Sequence, residues 1–347
     1  MFESTKPKFC KAISPGKIIL SGEHAVLYGA PALAMAVNRF VTTHIFEDNS
    51  VLGKIIFDSS VLNFSSIISL VELYELHKKI KNSYREFNQR KISIEEVLTH
   101  PSELLLYLLA DCLERFSIPL QNKISIKLDS SIPLGSGMGS SAASIISLLH
   151  ALVNYFSLPL KLDDYFAYGR EIENLQHGKS SGLDLYLAIH AGAVFFQEGR
   201  IEKVATSNLP MFFVYSGQPE GSTGVSVNAA KKYFADKMLV AEFSAVTLAL
   251  REALLKADFA NAQKCIKANE SLLERISVVP EKTKIFVREV ENSGMAAKIC
   301  GAGAVSGDNA GILLVMGQGR EDLERLVQKY NYNFLDLEEE KHGVQII

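Results

Sequence analysis

The stretch Pro133-Leu134-Gly135-Ser136-Gly137-Met138-Gly139-Ser140-Ser141-Ala142-Ala143-Ser144 decides how the rest of this chain is read. Three glycines alternate with single residues, and two serines and two alanines then open an apolar helical run. Glycine reaches positive φ and lets backbone N–H groups approach an anion with no Cβ in the way. A helix starting at the same place adds unsatisfied N–H groups and the positive end of its dipole. The loop therefore reads either as a phosphate cradle or as a tight strand-to-helix turn that uses glycine for steric reasons. It is not a Walker A loop, because no lysine follows the last glycine, and its spacing is not that of the dinucleotide-binding G-x-G-x-x-G. Ser141, at the helix start, can serve as an N-cap or as a hard oxygen ligand for Mg²⁺.

Upstream of the loop, Lys123 to Leu128 alternates Ile124, Ile126 and Leu128 with polar residues, the pattern of a half-buried strand. Downstream, Ser140 to Phe156 reads as a helix. Two further polar clusters need explaining. The first, Ser21-Gly22-Glu23-His24-Ala25-Val26-Leu27-Tyr28-Gly29, follows two short strands expected over Phe9–Ile13 and Lys17–Leu20, with Ser14-Pro15-Gly16 as the turn between them. Lys17 is half-buried by Ile18-Ile19-Leu20, and a lysine so placed needs a carboxylate or phosphate partner. Glu23 and His24, taken alone, fit a solvated turn.

The second cluster, Gln176-His177-Gly178-Lys179-Ser180-Ser181-Gly182-Leu183-Asp184, follows a helix expected over Asp163–Asn174 with Asp163 as its cap. Asp184 precedes the apolar Leu185–Ile189, as either a helix N-cap or a buried base. Glu173 sits near a helix C-terminus, where its charge opposes the dipole, and a metal ion would remove that penalty. Glu171 reads as a solvated face residue.

Bulk properties exclude more than they select. The chain has 347 residues, 48% hydrophobic and 22% charged, enough for a sizeable core and for two domains. A net charge of −3 gives no basic footprint for nucleic acid or an anionic membrane. Cys10, Cys112, Cys265 and Cys300 are scattered, without metal-site spacing, and suit free thiols in a reducing compartment. Lys8, Lys11 and Lys17 interrupt any signal-peptide core, and no apolar run approaches the ~20 residues of a bilayer span. A cytoplasmic protein is expected.

The remaining pattern is mixed. Ala32–Val37, Arg39–Glu47 and Gly53–Asp58 read as strands, and Ser65–Asn88 as one amphipathic helix. Ile92–Leu98 and Ser102–Phe116 read as further helices, the latter N-capped by Ser102. Strands are expected at Ala193–Gln197, Met211–Tyr215, Ala296–Cys300 and Gly311–Val315. Helices dominate from Gly224 to Asn292, one starting at Pro280, and a helix near Arg320–Tyr330 and a short strand come last. A polar run at Thr206–Pro210 marks the break, giving units over 1–205 and 206–347.

Together the clusters resemble the GHMP family of small-molecule kinases, which takes in galactokinase, homoserine kinase, mevalonate kinase and phosphomevalonate kinase. Ser14-Pro15-Gly16-Lys17-Ile18-Ile19-Leu20-Ser21-Gly22-Glu23-His24-Ala25-Val26 is similar to the first family motif, in the form of its mevalonate-phosphorylating branch. Pro133 to Ser144 is similar to the second, ATP-cradling motif, and His177 to Asp184 to the segment that carries the catalytic aspartate. The third motif departs from the family. Cys300 stands where Thr or Ser usually precedes Gly301-Ala302-Gly303, and the loop continues to Gly311 through Gly307-Asp308 instead of a glycine run.

The resemblance implies an α+β fold of two domains, a mixed α/β N-terminal domain and a helix-rich, ferredoxin-like C-terminal domain, with the active site in the cleft between them. It implies that Gly135, Ser136, Gly137, Met138, Gly139, Ser140 and Ser141 hold the phosphates of ATP. Ser141 and Glu173 would ligate Mg²⁺, Asp184 would take or orient the proton of the acceptor hydroxyl, and Lys17 would pair with Asp184 and steady the transferring group. Glu23 and His24 fall on the acceptor side, with His24 as a hydrogen-bonding group or the partner of a substrate carboxylate. Mevalonate is the implied acceptor, with phosphomevalonate or another small alcohol as the alternative and a homodimer compatible with the family. A non-catalytic metabolite sensor on this fold would be expected to lose one of Lys17, Ser141, Glu173 and Asp184, and all four are present.

Overall fold

The computed structural model describes residues 9–48, 54–120, 122–133, 135–205, 210–221 and 223–347. Pro15 and Gly16, expected to turn the chain, lie inside one long strand, β1 (Phe9–Ser21), antiparallel to β2 (Ala32–Asp48). A register shift between Pro15 and Gly16 absorbs the proline, which cannot donate to the ladder. Gly16 is there for close approach. A Cβ on it would lie 2.8 Å from the Met138 carbonyl oxygen, and the next amide, Lys17 N–H, donates to that same oxygen at 2.9 Å.

β3 (Lys54–Ser59) and β4 (Phe64–Ser69) form a hairpin. The expected helix over Ser65–Asn88 is therefore wrong at its start: only α1 (Leu70–Asn88) is helical, with Ser69 and Glu72 making a reciprocal capping box. Ile94–Glu96 makes a single 3₁₀ turn where a longer helix was expected. α2 (Ser102–Arg115) begins after Pro101, and Ser102 does not cap it, its hydroxyl meeting His100 Nδ1 at 2.7 Å. β5 (Lys123–Ser130) leads into the glycine loop and α3 (Ser140–Phe156). α3 is buried along most of its length, as a helix apolar on all sides must be, and packs against β1 and β2 on one side and α4 (Asp164–His177) and α5 (Leu183–His190) on another. Asp163 makes no side-chain cap on α4.

β6 (Ala193–Gln197) and β7 (Arg200–Lys203) complete this half. Its sheet, eight-stranded among the described residues, runs β12-β1-β2-β5-β3-β4, with β6 beside β2 and β7 beside β6; β12 is the late strand Gln345–Ile346. Among the described residues only the β3–β5 pair is parallel.

The second half starts at β8 (Met211–Tyr215) and continues through α6 (Thr223–Ala230), α7 (Lys237–Leu255), α8 (Phe259–Arg275) and α9 (Glu281–Asn292). β9 (Ala296–Cys300), β10 (Ile312–Met316), α10 (Arg320–Tyr330) and β11 (Asn333–Leu335) follow. Its four strands form an antiparallel sheet in the order β11-β8-β10-β9. The change of sheet falls between Lys203 and Met211, and residues 206–209, where the sequence puts the break, lie outside the described residues. The expected second unit over 206–347 ends early, however. Residues 338–340 pair beside β2, and β12 pairs with β1, returning the chain to the first sheet. Among the described residues no helix is long and apolar enough to cross a membrane.

Candidate active site

Four segments meet at the glycine loop: β1, the start of α5, the C-terminal part of α4 and the loop after β9. Gly135, Gly137 and Gly139 all adopt positive φ (66°, 75° and 68°), so the alternation seen in the sequence is an alternation of backbone conformation. Gly139 is the residue before α3, and the loop turns there to present the helix N-terminus. Leu134 lies outside the described residues.

Beneath the loop, Lys17 and Asp184 form an ion pair, Nζ to Oδ2 at 3.3 Å, and Lys17 Nζ also donates to the Gly137 carbonyl at 3.1 Å. The lysine is buried and the aspartate is one-third exposed, its open side available to a ligand. Asp184 is not the N-cap of α5, which is Gly182; it sits in the first turn, where the helix dipole favours its charge. A Cβ on Gly139 would press within 2.9 Å of Lys17 Cγ, so the loop and the ion pair are in direct contact.

Glu173 is buried and accepts a hydrogen bond from the Ser180 hydroxyl. Burial first, and the charge of Asp184 second, raise its pKa to about 7, with Lys17 acting in the opposite sense. A buried carboxyl whose ionisation is opposed by burial and by a neighbouring carboxylate is a seat for a cation. Ser141 donates to Gln176 Oε1 at 2.8 Å, three residues along α4 from Glu173. Among the described residues no group of three or more His, Cys, Asp or Glu could hold a metal alone. One carboxylate, one hydroxyl and phosphate oxygens from a nucleotide are nonetheless the donor set Mg²⁺ takes in kinases, so the residues fit that metal as a shared ligand.

His24 and Glu23 part company. His24 lies in a rarely adopted backbone conformation (φ 55°, ψ −51°), with Nε2 3.0 Å from the Ala302 carbonyl oxygen and Nδ1 buried without a partner. Burial lowers its pKa to about 4, so the ring is neutral. A carbonyl only accepts, which puts the proton on Nε2 and leaves Nδ1 as a bare acceptor. Such a nitrogen accepts a hydrogen bond, and a neutral ring offers a carboxylate no charge to pair with. Glu23 faces the other way, in a closed ion pair with Lys298 of β9, and Asn269 Nδ2 of α8 donates to its second oxygen at 3.4 Å. Its carboxylate is enclosed by protein, not open to a substrate as expected.

The third loop packs on the second. Gly301 and Gly137 touch backbone to backbone, where a Cβ on Gly137 would lie 3.4 Å from the Cys300 carbonyl oxygen. On the outer side of this contact is a cleft of about 240 Å³, lined by Gly135–Gly137, Gln218–Gly221, Thr223 and Ala302 among others. Ser136 Oγ is buried without a hydrogen-bond partner beside it. Gln218, Glu220, Thr223 and Lys298 were not singled out from sequence; a lysine inside the apolar run Ala296–Cys300 was the one available signal.

Residues 104–192, which hold α2, β5, the glycine loop, α3, α4 and α5, match the GHMP kinases N terminal domain. That segment carries the GHMP kinase N-terminal domain, and the whole chain has the GHMP kinase fold, a mixed α/β N-terminal domain and a helix-rich C-terminal domain. Over most of its length the chain is similar to mevalonate kinases. That of Pyrococcus horikoshii is 25% identical over 331 residues, covering 90% of each chain. The crystal structure of Methanococcus jannaschii mevalonate kinase superposes with a TM-score of 0.75 at 23% identity, covering 97% of this chain and 99% of the other. Streptococcus pneumoniae phosphomevalonate kinase, in complex with phosphomevalonate and AMPPNP, gives 0.71 at 16% identity over 95% and 99% of the two chains.

Proposed function

We infer that this protein transfers the γ-phosphoryl group of ATP to the hydroxyl of mevalonate, giving 5-phosphomevalonate and ADP. The observation that carries the reading is the Lys17–Asp184 pair set directly under a loop of three positive-φ glycines. The backbone N–H groups of Gly137 to Ser140 and the start of α3 hold the phosphates, and Ser136 and Ser141 supply hydroxyls. Mg²⁺, held by Glu173 and Ser141 with nucleotide oxygens, would neutralise charge on the transferring group. Asp184 accepts the hydroxyl proton or orients the hydroxyl as its oxygen bonds to the γ-phosphorus and the bond to ADP breaks. Lys17 holds Asp184 in place, and its buried charge faces the transferring phosphoryl group. His24 Nδ1 accepts a hydrogen bond from an acceptor hydroxyl. The same reading takes residues up to 205 as the first unit and those from 206 through β11 as the second, the last residues returning to the first. The strands of the second unit, numbered in chain order, run 4-1-3-2, which supports the ferredoxin-like arrangement.

Phosphomevalonate is the second reading, because Gly307-Asp308 in the third loop is faintly like the Gly-Asp-Cys-Gly of phosphomevalonate kinases. Against it, the sequence relatives matched above over most of the chain are mevalonate kinases. ADP release measured with mevalonate, phosphomevalonate, galactose and homoserine decides between them. Turnover with mevalonate alone supports the first reading, and turnover only with phosphomevalonate overturns it. ATP binding with no turnover on any of the four would make the protein a sensor.

A further inference from the structure

Beneath the turn that carries His24 lies a buried polar cluster. Lys298 Nζ, fully buried, binds the Glu23 carboxylate and the Ile299 carbonyl. Glu270 of α8 accepts from Ile299 N–H at 2.9 Å, and its other oxygen has no partner. Ser21 Oγ meets Thr247 Oγ1 of α7 at 2.7 Å and donates to Asn269 Oδ1, and Asn269 donates on to Glu23. This cluster ties the end of β1, in the first unit, to α7, α8 and β9 in the second.

A buried ion pair is a poor source of stability, because desolvating both charges offsets most of their attraction. What it fixes is geometry, since each charge has one place to go. Burial, with Glu274 and Glu23 nearby, raises the Glu270 pKa to about 8, and the carboxylate that Lys298 Nζ contacts is that of Glu23. Glu23 and His24 are consecutive, and both attach to the same short segment, Glu23 to Lys298 and His24 to the Ala302 carbonyl. Two anchor points four residues apart hold a turn whose central residue has a strained backbone.

We propose that Lys298 is a positioning residue for the acceptor side of the cleft: by locking Glu23 it fixes the His24 turn and the direction of its free Nδ1. Glu23 thereby belongs to the support of the site, not to its substrate contacts. The inference rests on the reading of His24 as an acceptor-side group, and the tests keep the two apart.

Lys298→Met, Glu23→Gln and the double variant are compared with wild type, using whichever acceptor of the panel wild type turns over. Lys298→Met raises the acceptor KM about tenfold or more and leaves the KM for ATP within about twofold. The double variant, with no orphaned buried charge, recovers thermal stability but keeps the raised acceptor KM. Recovery of KM together with stability, or an unchanged acceptor KM in a folded Lys298→Met, overturns the proposal. A second readout needs no turnover. The ring nitrogens of His24, followed by ¹⁵N–¹H NMR, report one fixed Nε2–H tautomer in wild type and tautomer averaging in the double variant. The same fixed tautomer in both refutes the positioning role even if no acceptor is ever phosphorylated, whereas averaging with no turnover faults only the functional reading.

Discussion

Glu173 makes the metal site testable through its proton. Its carboxyl, raised to about 7 by burial and by Asp184, binds a proton that a divalent cation must displace. Relative to an ordinary glutamate the difference is worth about 3 kcal/mol, which a bound cation must offset. On binding Mg²⁺ with a non-hydrolysable ATP analogue, the site should release about 0.9 proton at pH 6, about 0.5 at pH 7 and about 0.1 at pH 8. Affinity should fall about tenfold per pH unit below 7 and level off above it. Calorimetry in two buffers of different ionisation enthalpy measures the release. The nucleotide's own proton is removed by subtracting the same titration of Glu173→Gln, which should bind the metal more weakly and lose this release. Equal affinity at pH 6 and pH 8, or identical release from wild type and variant, would refute Glu173 as the ligand and the raised pKa with it.

Four further outcomes follow. Asp184→Asn and Lys17→Met should each lower kcat by about 10³-fold with an unchanged melting temperature within a few degrees, by steady-state kinetics and calorimetric melting; near-normal turnover in either removes the transfer mechanism. Gly139→Ala, at φ 68°, adds about 1 kcal/mol of backbone strain and pushes Lys17, so kcat should fall about tenfold or more with a smaller change in the KM for ATP. Glu270, with its folded pKa raised to about 8, contributes stability that is fully present below the ordinary glutamate pKa and is lost as pH rises through about 8. Denaturant melts from pH 5 to 9 should show that decline in wild type and a flatter curve in Glu270→Gln; parallel curves would place the proton elsewhere. Lys298→Met is tested as described above.

The sequence is clearest where local chemistry decides the structure. α3 was legible at both ends because Gly139 and Ser157, both at positive φ, bound a run that is apolar on every face. The Lys17–Asp184 pair was foreseeable in kind, since a lysine beside Ile18-Ile19-Leu20 requires a counter-charge. Local pattern failed where a distant partner decides. Pro15-Gly16 is a turn by propensity and a bulge in fact, because the glycine loop lies against that strand. Phe64–Ser69 runs into the helical periodicity after it, and only pairing with β3 makes it a strand. Glu23 in a glycine-flanked polar turn suggests solvent; its partner lies 275 residues on, inside a strand that otherwise reads as core.

The late return of the chain to the first sheet changes how the two halves are held together. Ala12 faces Ile346 and Ile13 faces Gln345 in register, and Gly192 N–H donates to the Glu340 carbonyl at 2.8 Å. The second half is thus an insertion within the first, entered after β7 and left after β11. With the buried Glu23–Lys298 pair between β1 and β9, that return fastens the second half to the first at both ends and in the middle, not by a single tether. The seat of the third loop on the glycine loop is thereby set by the fold of both halves and not by the two loops alone.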